Sequence, residues 1–599
     1  MENIHAARIA SLRSLMDERG WDAVVITGSD PHASEYPAYR WKCVEWLTGF
    51  TGEAGDIVIT EAHAGLWTDS RYFIQADRQL SGTGVVLHKT RLPESIPIPI
   101  WLSGQFPFGG VVAIDGLCQS RDAVTEIRME NPDLRIISVP DLISLLWTDR
   151  PVVPQTPVIT LGEDITGESR AEKLEWFRRE AFSTDECEAA VICALDDIAW
   201  LLNVRGQDVE YNPVVISYLV VTEDSAEWFV IKNPGEEVDE DTLAAWDEVA
   251  ADGVQVREYS AIDSYLGNLA KECSCVLADG SSLNYHLSEV IENSGAQLRL
   301  SGLPVSLRKA EKNPVEIEGF RHAHKEDGAA MEMFLFWLER NAGMVDEWVA
   351  SRKLGEFRAK LPGYMGDSFE TISAYGPGAA LPHYSTPRQN APVIERHGLY
   401  LVDSGGQFLF GTTDITRTVP MGPLTELEKE DYTAVLKGHI DLAMAVFPAG
   451  TPGSRLDALA REPLWRLQRD YGHGTGHGVG SFLCVHEGPQ SIRQNMDPQP
   501  LVPGMVTSDE PGIYREGMHG VRHENLLLCV DMGTNQFGHW LGFETLTLCH
   551  FDTSAIIREM LSPDEIDWLN AYNERVYESH RDVLPPAVSA WLREKTRPI

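Results

Sequence analysis

Two aspartates lie beside apolar runs in the stretch GLYLVDSGGQFLFGTTDITRTV. Residues 399–403 and 413–419 have the pattern of two strands around a glycine-rich turn, and each strand offers one carboxylate, Asp403 and Asp414. An isolated carboxylate is costly to bury beside apolar side chains, so such an acid needs a cation or a strong hydrogen-bond network. Taken alone, Asp403 could equally be a solvated strand end.

Two histidines follow in YGHGTGHGVGSFLCVHEGP, where His473 and His477 are embedded in glycines at every second position from 472 to 480. That glycine density disfavours a regular helix and lets the backbone approach a ligand closely. It therefore excludes the zinc-protease helix that carries two histidines four residues apart. Ordinary core histidines, the alternative, do not require such flexible surroundings.

Two glutamates complete the pattern. Glu510 ends the strand in MVTSDEPGIY, and Glu524 precedes the apolar run LLL at 526–528. The candidate metal ligands are Asp403, Asp414, His477, Glu510 and Glu524. This oxygen-rich set suits a pair of divalent ions such as Mn²⁺ better than a closed structural zinc site, which usually contains cysteines. Four clustered carboxylates would repel one another unless about two dications neutralised them.

The elements that position these residues belong to a long, multidomain chain of 599 residues. Proline-rich joints at 149–158 and 301–320 divide the chain into three parts. The first two parts share a plan of helix, apolar strand, helix with Trp-Leu and further strands, which indicates α/β layers with mixed sheets and a duplication. The third part predicts long helices at 311–340 and 346–360, then short strands and turns, typical of an α+β domain.

Charge and cysteine content narrow the partners and the compartment. The 90 acidic and 50 basic residues give a formal charge of −40, which would repel nucleic acid and anionic lipid. The nine scattered cysteines include no C-x-x-C pair and favour a reducing cytoplasm. No export signal is recognised at the start of the sequence, and no stretch reaches the roughly 20 apolar residues that span a bilayer.

The motifs together resemble those of the pita-bread metallopeptidases, specifically the three-domain cytosolic aminopeptidase P type. The resemblance covers essentially the whole chain and rests on SDPHASEY, WLTGFTGEAG, GLWTDSRYFIQA, ALDDIAWLLNVRG, VEYNPV, DSGGQFLFGTTDITRT, HGTGHGVGSFLCVHEGP, SDEPGIY, RHEN and the closing segment from WLNAYNERVYE. It implies two creatinase-like α/β domains, residues 1–153 and 154–309. A pita-bread catalytic domain with a C-terminal extension, residues 310–599, would follow.

The resemblance also assigns metal-binding roles. It implies that Asp403 binds one metal, that Asp414 and Glu524 bridge both metals, and that His477 and Glu510 complete the other site. Mn²⁺ is the expected ion, with Zn²⁺ or Co²⁺ as alternatives. All five ligands are present, which argues against a metal-free binding relative and against a creatinase-like hydrolase, which shares the fold but needs no metal.

Substrate-handling roles come from the same resemblance, which places the family's histidines at His383, His473 and His486 and supporting positions at Arg522 and Tyr514. The implied reaction is attack of a metal-bridging hydroxide on the carbonyl ahead of proline. Glu510 would be the general base, and His486 with one metal would stabilise the oxyanion.

The expected activity is therefore that of an Xaa-Pro aminopeptidase, acting on short peptides with proline second, in a homodimer. A prolidase that cuts only Xaa-Pro dipeptides is the nearest alternative, followed by a non-catalytic pita-bread binding protein. Three positions depart from the family pattern: Val44, where relatives often carry Arg, Glu53 and Phe410. His523, as the neighbour of Glu524, is expected to point to the opposite face and to be structural.

Overall fold

The computed structural model describes residues 3–183, 186–233, 235 and 237–599. Its backbone contacts separate two compact units. Unit 1 comprises Met1–Gly162 and Glu168–Ser306, and unit 2 comprises Glu163–Gly167 and Leu307–Ile599. The three-domain division with boundaries after residues 153 and 309 stays a prediction.

The first sheet of unit 1 has the strand order β4-β3-β2-β1-β5-β6. Its strands are β1 (Ala23–Ile26), β2 (Asp56–Thr60), β3 (Ala64–Thr68), β4 (Val86–Lys89), β5 (Gly110–Ile114) and β6 (Leu134–Ser138). Strand β2 is antiparallel to β1 and β3, whereas β1–β5, β3–β4 and β5–β6 are parallel pairs. The accompanying helices are α1 (Ile4–Arg19), α2 (Cys43–Thr48), α3 (Phe73–Gln79), α4 (Ile98–Gln105) and α5 (Arg121–Glu130). Because parallel strands are covered on both faces, β1 is a continuous apolar run, Ala-Val-Val-Ile, and is buried throughout.

The second sheet of unit 1 repeats this plan with the order β12-β11-β10-β8-β13-β14. The elements of this part are β7 (Ile159–Thr160), α6 (Glu163–Thr166, assigned to unit 2), α7 (Arg170–Ala181), β8 (Ala189–Ile192), α8 (Leu195–Leu202), β9 (Val204–Arg205), β10 (Ser217–Thr222), β11 (Ala226–Val230), α9 (Glu240–Ala251), β12 (Val254–Glu258), α10 (Ile262–Glu272), β13 (Cys275–Ala278), α11 (Tyr285–Ser294) and β14 (Gln297–Leu300). Strand β10 is antiparallel to β8 and β11, and the pairs β8–β13, β11–β12 and β13–β14 are parallel. The two sheets therefore share both order and direction, in agreement with the shared plan expected from the sequence.

Unit 2 opens with helices and continues with short strands. Its helices are α12 (Pro304–Ala310, which begins in unit 1), α13 (Pro314–Asn341), α14 (Glu347–Arg358), α15 (Glu426–Ala443), α16 (Asp457–Arg466), α17 (Pro563–His580) and α18 (Pro586–Lys595). The predicted helix at 311–340 begins three residues later than expected, because Asn313 caps it and Pro314 occupies the first position, where no intrahelical N–H is needed.

The strands of unit 2 form several small sheets. They are β15 (Tyr364–Asp367), β16 (Ile372–Tyr375), β17 (Leu399–Ser404), β18 (Gly406–Phe408), β19 (Gly411–Thr412), β20 (Ile415–Pro420), β21 (Phe447–Pro448), β22 (Gly476–Gly478), β23 (Glu487–Ile492), β24 (Val506–Asp509), β25 (Gly512–Arg515), β26 (His519–Arg522), β27 (Asn525–Asn535) and β28 (Gly538–Thr545). The sheets have the orders β16-β17-β20, β15-β18-β19, β21-β28-β27-β24-β22-β23 and β25-β26. Short 3₁₀ turns lie at Tyr39–Trp41, Leu142–Leu145, Tyr259–Ala261, Gly376–Ala380, Gly453–Arg455, Thr553–Ala555 and Arg558–Met560.

Among the described residues, none of the helices combines the length and the apolar character that crossing a membrane requires.

Candidate metal centre

Strands β17 and β20 present the two aspartates. Asp403 lies near the end of β17, opposite Thr416 of β20, and Asp414 immediately precedes β20. The intervening chain forms the β18–β19 hairpin, which returns the backbone to the same end of the pair. Both carboxylates consequently emerge at one end of this antiparallel pair, as the sequence pattern predicts.

The two glutamates come from a second antiparallel pair. The register of β24 with β27 ends at Asp509 opposite Asn525, so Glu510 follows one strand and Glu524 precedes the other at the same end. His477 lies in β22, whose Gly478 pairs with Thr507 of β24. Three neighbouring strands of one sheet thus supply the remaining candidate ligands.

The imidazole of His477 lies between the two carboxylate groups. Its Nε2 is 3.5 Å from Asp414 Oδ2 and 3.5 Å from Glu510 Oε1. Its Nδ1 is 2.9 Å from the carbonyl oxygen of Gly478, which fixes Nδ1 as the donor and leaves the lone pair of Nε2 free for a ligand. Ligand atoms of Asp414, His477 and Glu524 all lie within 4.8 Å of one another.

Arg522 is the cation of the cluster. It is buried, its Nη2 donates to Asp403 Oδ2, and its Nε donates to Thr416 Oγ1 at 3.1 Å. Thr416 Oγ1 in turn donates to Glu524 Oε2 at 2.7 Å. Within the described part of the chain, the buried Asp403 Oδ1 has no hydrogen-bond partner. One arginine therefore faces several carboxylates, and a carboxylate oxygen is left available for a ligand.

Burial makes the ionised cluster costly. It raises the pKa of Glu510 from its ordinary 4.5 to about 7, against the opposing effect of His477 and Arg522. Burial, and then the charges of Asp414, Asp403 and Glu510, raise the pKa of Glu524 well above its usual value. Burial likewise raises the pKa of Asp403, although Arg522 opposes the shift. Closely placed oxygen donors, one imidazole and uncompensated negative charge fit a pair of divalent cations.

These shifts predict that metal stabilises the protein more as pH rises. A carboxyl group whose pKa is raised in the folded state stabilises that state when protonated, so stability is lost as pH rises from 4.5 through about 7. Bound dications replace the protons and remove this loss. We expect the Tm difference between Mn²⁺-loaded and chelated protein to widen between about pH 5 and about pH 8. A difference that stays constant or narrows would contradict the prediction.

The residues expected to handle substrate lie around the ligands. The phenolic oxygen of Tyr514 is 2.7 Å from His473 Nε2 and accepts from Arg522 Nη1 at 2.7 Å. The ring of His486 packs edge-on against His477, with centroids 4.3 Å apart. His383 follows Pro382, whose carbonyl oxygen accepts from Arg522 Nη2 at 3.3 Å. His486 thus contacts the candidate ligand His477, and His473 and His383 are linked to Arg522 through Tyr514 and Pro382.

Comparison with known proteins identifies the family. Family models match residues 8–146 and 149–316 (creatinase/prolidase N-terminal domains), 318–531 (metallopeptidase family M24) and 539–599 (C-terminal region of peptidase M24). Aminopeptidase P1 from Arabidopsis thaliana is 36% identical over 99% of this chain and 99% of its own length. The chain belongs to the aminopeptidase P family of M24 metallopeptidases. Its fold is that of the family, two creatinase-type N-terminal domains and a pita-bread catalytic domain.

Solved structures agree with this assignment to the aminopeptidase P family. An X-prolyl aminopeptidase from Caenorhabditis elegans, a cytosolic enzyme with a di-nuclear active site, matches with a TM-score of 0.93 and 35% identity, covering 99% of this chain and 100% of that chain. An Xaa-Pro dipeptidase from Bacillus anthracis matches at 23% identity with a TM-score of 0.52, covering 64% of this chain and 99% of that chain, which is a likeness of fold alone.

Several residues around this aminopeptidase P centre were missed by the sequence reasoning. Ser508 Oγ accepts from the backbone N–H of His477 at 3.0 Å and lies 3.3 Å from Glu510 Oε1. The buried His439 of α15 contacts the residue beside each glutamate: Nδ1 is 3.0 Å from the Asp509 carbonyl, and Nε2 is 3.1 Å from Asn525 Nδ2. No local signal marks His439, because it is about 70 or more residues from either partner.

A buried ion group lies beside His486. The Nζ of Lys312 donates to Glu487 Oε1 at 2.6 Å, and the Nζ of Lys309 is 3.5 Å from Glu487 Oε2. All three side chains are almost fully buried. These contacts hold residues 486–487 against α12 and the segment that follows it. Removing one partner of the group would leave a buried charge uncompensated.

His523 occupies the position expected for a structural residue. It is fully buried, and its ring packs edge-on against Tyr432 at 4.5 Å and against Phe551 at 5.5 Å between centroids. Burial lowers the pKa of His523 well below its usual value, so the neutral imidazole is the stable form. Arg522 and Glu524, its neighbours, point into the metal cluster.

Two of the residues that depart from the family pattern, Val44 and Phe410, pack against apolar or aromatic neighbours. Val44 lies in α2 and is buried in the hydrophobic core around the first sheet. Phe410 stacks on His322 with ring centroids 4.1 Å apart. Both side chains are accommodated by apolar or aromatic packing.

Proposed function

We propose that the chain is a dinuclear metallo-aminopeptidase that releases the N-terminal residue from short peptides with proline in the second position. The observation that carries the proposal is the convergence of four carboxylates and one imidazole on one largely buried site, where Arg522 is the arginine that contacts them among the described residues. The full-length relationship to aminopeptidase P supports the choice of reaction.

The five candidate ligands would hold two divalent ions, for which Mn²⁺ is our first choice. Asp403 would serve one ion through its unpartnered Oδ1, and His477 and Glu510 would serve the other through Nε2 and Oε1. Asp414 and Glu524 would bridge them, since their oxygens lie within 4.8 Å of each other and of the imidazole nitrogen. When bound, such an ion pair supplies an activated water near neutral pH.

The surrounding side chains would orient the substrate and move the proton. Glu510, with a pKa of about 7, is suited to accept a proton near neutral pH. His486, packed against His477, would donate a hydrogen bond to the carbonyl oxygen as charge develops there. His383 and His473 would line the proline pocket, with the His473 ring fixed by Tyr514. The acidic cluster would attract the substrate's free amino group.

Location, assembly and domain limits are part of the same proposal. We place the enzyme in the cytoplasm, as a homodimer, with domains at 1–153, 154–309 and 310–599. Its nine cysteines, all within the described residues, are free thiols, which suits a reducing compartment. Light scattering of the purified chain would test the dimer, and a mass of about 67 kDa would correspond to the monomer of 66.6 kDa and contradict it.

The decisive assay compares peptides that differ in one feature. Xaa-Pro-Yaa tripeptides, Xaa-Pro dipeptides and Xaa-Ala-Yaa controls are incubated with the enzyme before chelation, after chelation and after Mn²⁺ readdition. We expect cleavage of the tripeptide, weak cleavage of the alanine control, loss of activity on chelation and recovery with Mn²⁺. Hydrolysis of the dipeptide alone would favour a prolidase, and activity that survives chelation would refute the two-metal mechanism.

A further inference from the structure

Unit 1 contains a cavity of about 320 Å³ at one edge of its first sheet. Strands β1, β3, β4 and β5 are parallel to one another, so their carboxyl ends meet at this edge. Thr68 ends β3, Thr90 follows β4 and Gln119 follows β5, and all three line the cavity. Its volume corresponds to the liquid volume of about ten water molecules.

The cavity also lies where the strand order reverses. From β1 the chain builds β2, β3 and β4 on one side, then crosses to place β5 and β6 on the other side. In open α/β sheets, ligands bind outside the carboxyl ends of strands at such a switch point. The topology therefore places this cavity where α/β domains bind small molecules.

Hydrogen-bond acceptors predominate among its polar groups. The half-buried Asp56 lines the cavity, and its carboxylate accepts hydrogen bonds from the backbone N–H of Gly28 at 3.1 Å and from the side chain of Thr27. Burial raises the pKa of Asp56 against the opposing effect of its hydrogen bonds from Thr27 and Gly28. Gln119 Oε1 is buried and has no donor among the described residues. Glu126 adds a further carboxylate to the lining.

Two arginines lie beside Asp69 at the cavity, and one of them, Arg91, is itself part of the lining. Asp69 accepts from Arg71 Nε and Nη2, each at 2.9 Å, and Arg91 Nη1 lies 3.6 Å from Asp69 Oδ2. Their charge is directed to Asp69, whose pKa is lowered by Arg71 and Arg91 against the opposing effect of burial. Asp56, Gln119 and the exposed Glu126 take no part in these contacts, and their oxygens can accept hydrogen bonds from a ligand.

Apolar side chains complete the lining, among them Trp67, Ile98 and Ile127. The Trp67 ring stacks on His88 with centroids 3.9 Å apart, so it contributes an apolar wall to the cavity. We infer that this cavity binds a small primary ammonium ion with an apolar body, its ammonium group donating to Asp56 and Gln119. The metal-centre residues belong to unit 2, so this site is assigned to different residues from those of the proposed reaction.

Calorimetric titration of the metal-loaded full chain tests the inference. The probe is isopentylammonium, compared with its neutral isostere 3-methylbutanol and its anionic counterpart 3-methylbutanoate, each up to about 20 mM because so small a ligand binds weakly. Ammonium should bind at least about tenfold more tightly than either comparator. Equal binding of the three compounds, or no ammonium binding in this range, would overturn the assignment.

Variants separate this cavity from the metal centre, which can also attract amines. Asp56→Asn keeps an acceptor for Gly28 and removes the charge, and Ala123→Leu fills the cavity from its helical wall. Each should weaken ammonium binding to unit 1 by about tenfold or more while leaving peptide turnover unchanged. Asp77→Asn, on an exposed position of α3, is the matched control. Unchanged binding in both cavity variants would overturn the assignment even if the peptidase activity is as proposed.

Discussion

Replacement of Asp414 by asparagine is expected to lower kcat/KM by about a thousandfold or more, since losing roughly 4 kcal/mol of transition-state stabilisation has that effect. Asparagine keeps the size of the side chain and removes its charge. Asp414 Oδ2 faces the imidazole of His477 at 3.5 Å, and its oxygens group with those of Glu524. A neutral amide at a bridging position cannot neutralise two dications, so the bound metal should fall from two ions per chain towards one.

Elemental analysis of the purified variant, together with steady-state kinetics, checks this prediction. Asp582→Asn is the matched control, because Asp582 is exposed and its ion pair with Arg581 contributes little. Circular dichroism should show that both variants are folded. Near-normal turnover in Asp414→Asn, with two ions bound, would contradict the assignment of Asp414 as a bridging ligand.

The sequence could single out the four candidate carboxylates because each lies at or beside the end of a predicted strand, whereas His477 was singled out by the glycines around it. An acidic residue next to a predicted strand is expected to be at least partly buried, and this can be recognised from the local sequence. The strand pairings that bring Asp403 near Asp414, and Glu510 near Glu524, are antiparallel with matched ends. Once β17 is assumed to pair with β20, and β24 with β27, each pair of carboxylates is close without knowledge of the rest of the fold.

The structure gives the glycines around His477 a different role from the one expected from the sequence. The sequence interpretation was that they let the backbone approach a ligand. In the structure a Cβ on Gly476 would lie 2.0 Å from the Ser508 carbonyl oxygen, and one on Gly478 would lie 2.1 Å from the Glu487 carbonyl oxygen. Glycine is therefore required where β22 packs closely against β23 and β24. This close packing fixes the position of His477.

The partners of the buried cations could not be predicted. Lys312 contacts Glu487 across 175 residues of sequence, and Arg417 contacts Cys549 across 132 residues. No periodicity or motif encodes such pairs, because each depends on how whole helices and strands pack. The cavity in unit 1 likewise depends on the strand order. The sequence predicts a mixed sheet but not the order of its strands.

Replacement of Arg417 by methionine is expected to lower the free energy of unfolding of unit 2 by about 3–5 kcal/mol, because several buried acceptors lose their donor and each loss costs roughly 1 kcal/mol or more. The Arg417 side chain is buried and serves as a hub between β20, the start of β27 and the segment after β28. Its guanidinium donates to the carbonyl oxygens of Thr416, Glu524, Cys549 and His550, to Asn525 Oδ1 and to the hydroxyl oxygen of Tyr572.

Methionine has nearly the same length but donates none of these bonds, so the buried acceptors lose their partners together. Because Glu524 is a candidate metal ligand and Thr416 donates a hydrogen bond to it, the loss should also weaken metal binding. Urea unfolding of the metal-loaded protein, followed as separate transitions, measures the effect.

Tyr572→Phe is the graded control, since it removes one hydroxyl from the same network and should cost only about 1 kcal/mol. Arg417→Lys should recover little of the lost stability. The compact ammonium group cannot reach all the acceptors that surround Nε, Nη1 and Nη2 of the planar guanidinium. If Arg417→Met unfolds at the same urea concentration as Tyr572→Phe, the guanidinium is not the hub of unit 2. The position of Glu524 would then depend on the pairing of β27 and on the hydrogen bonds between Glu524 and Thr416.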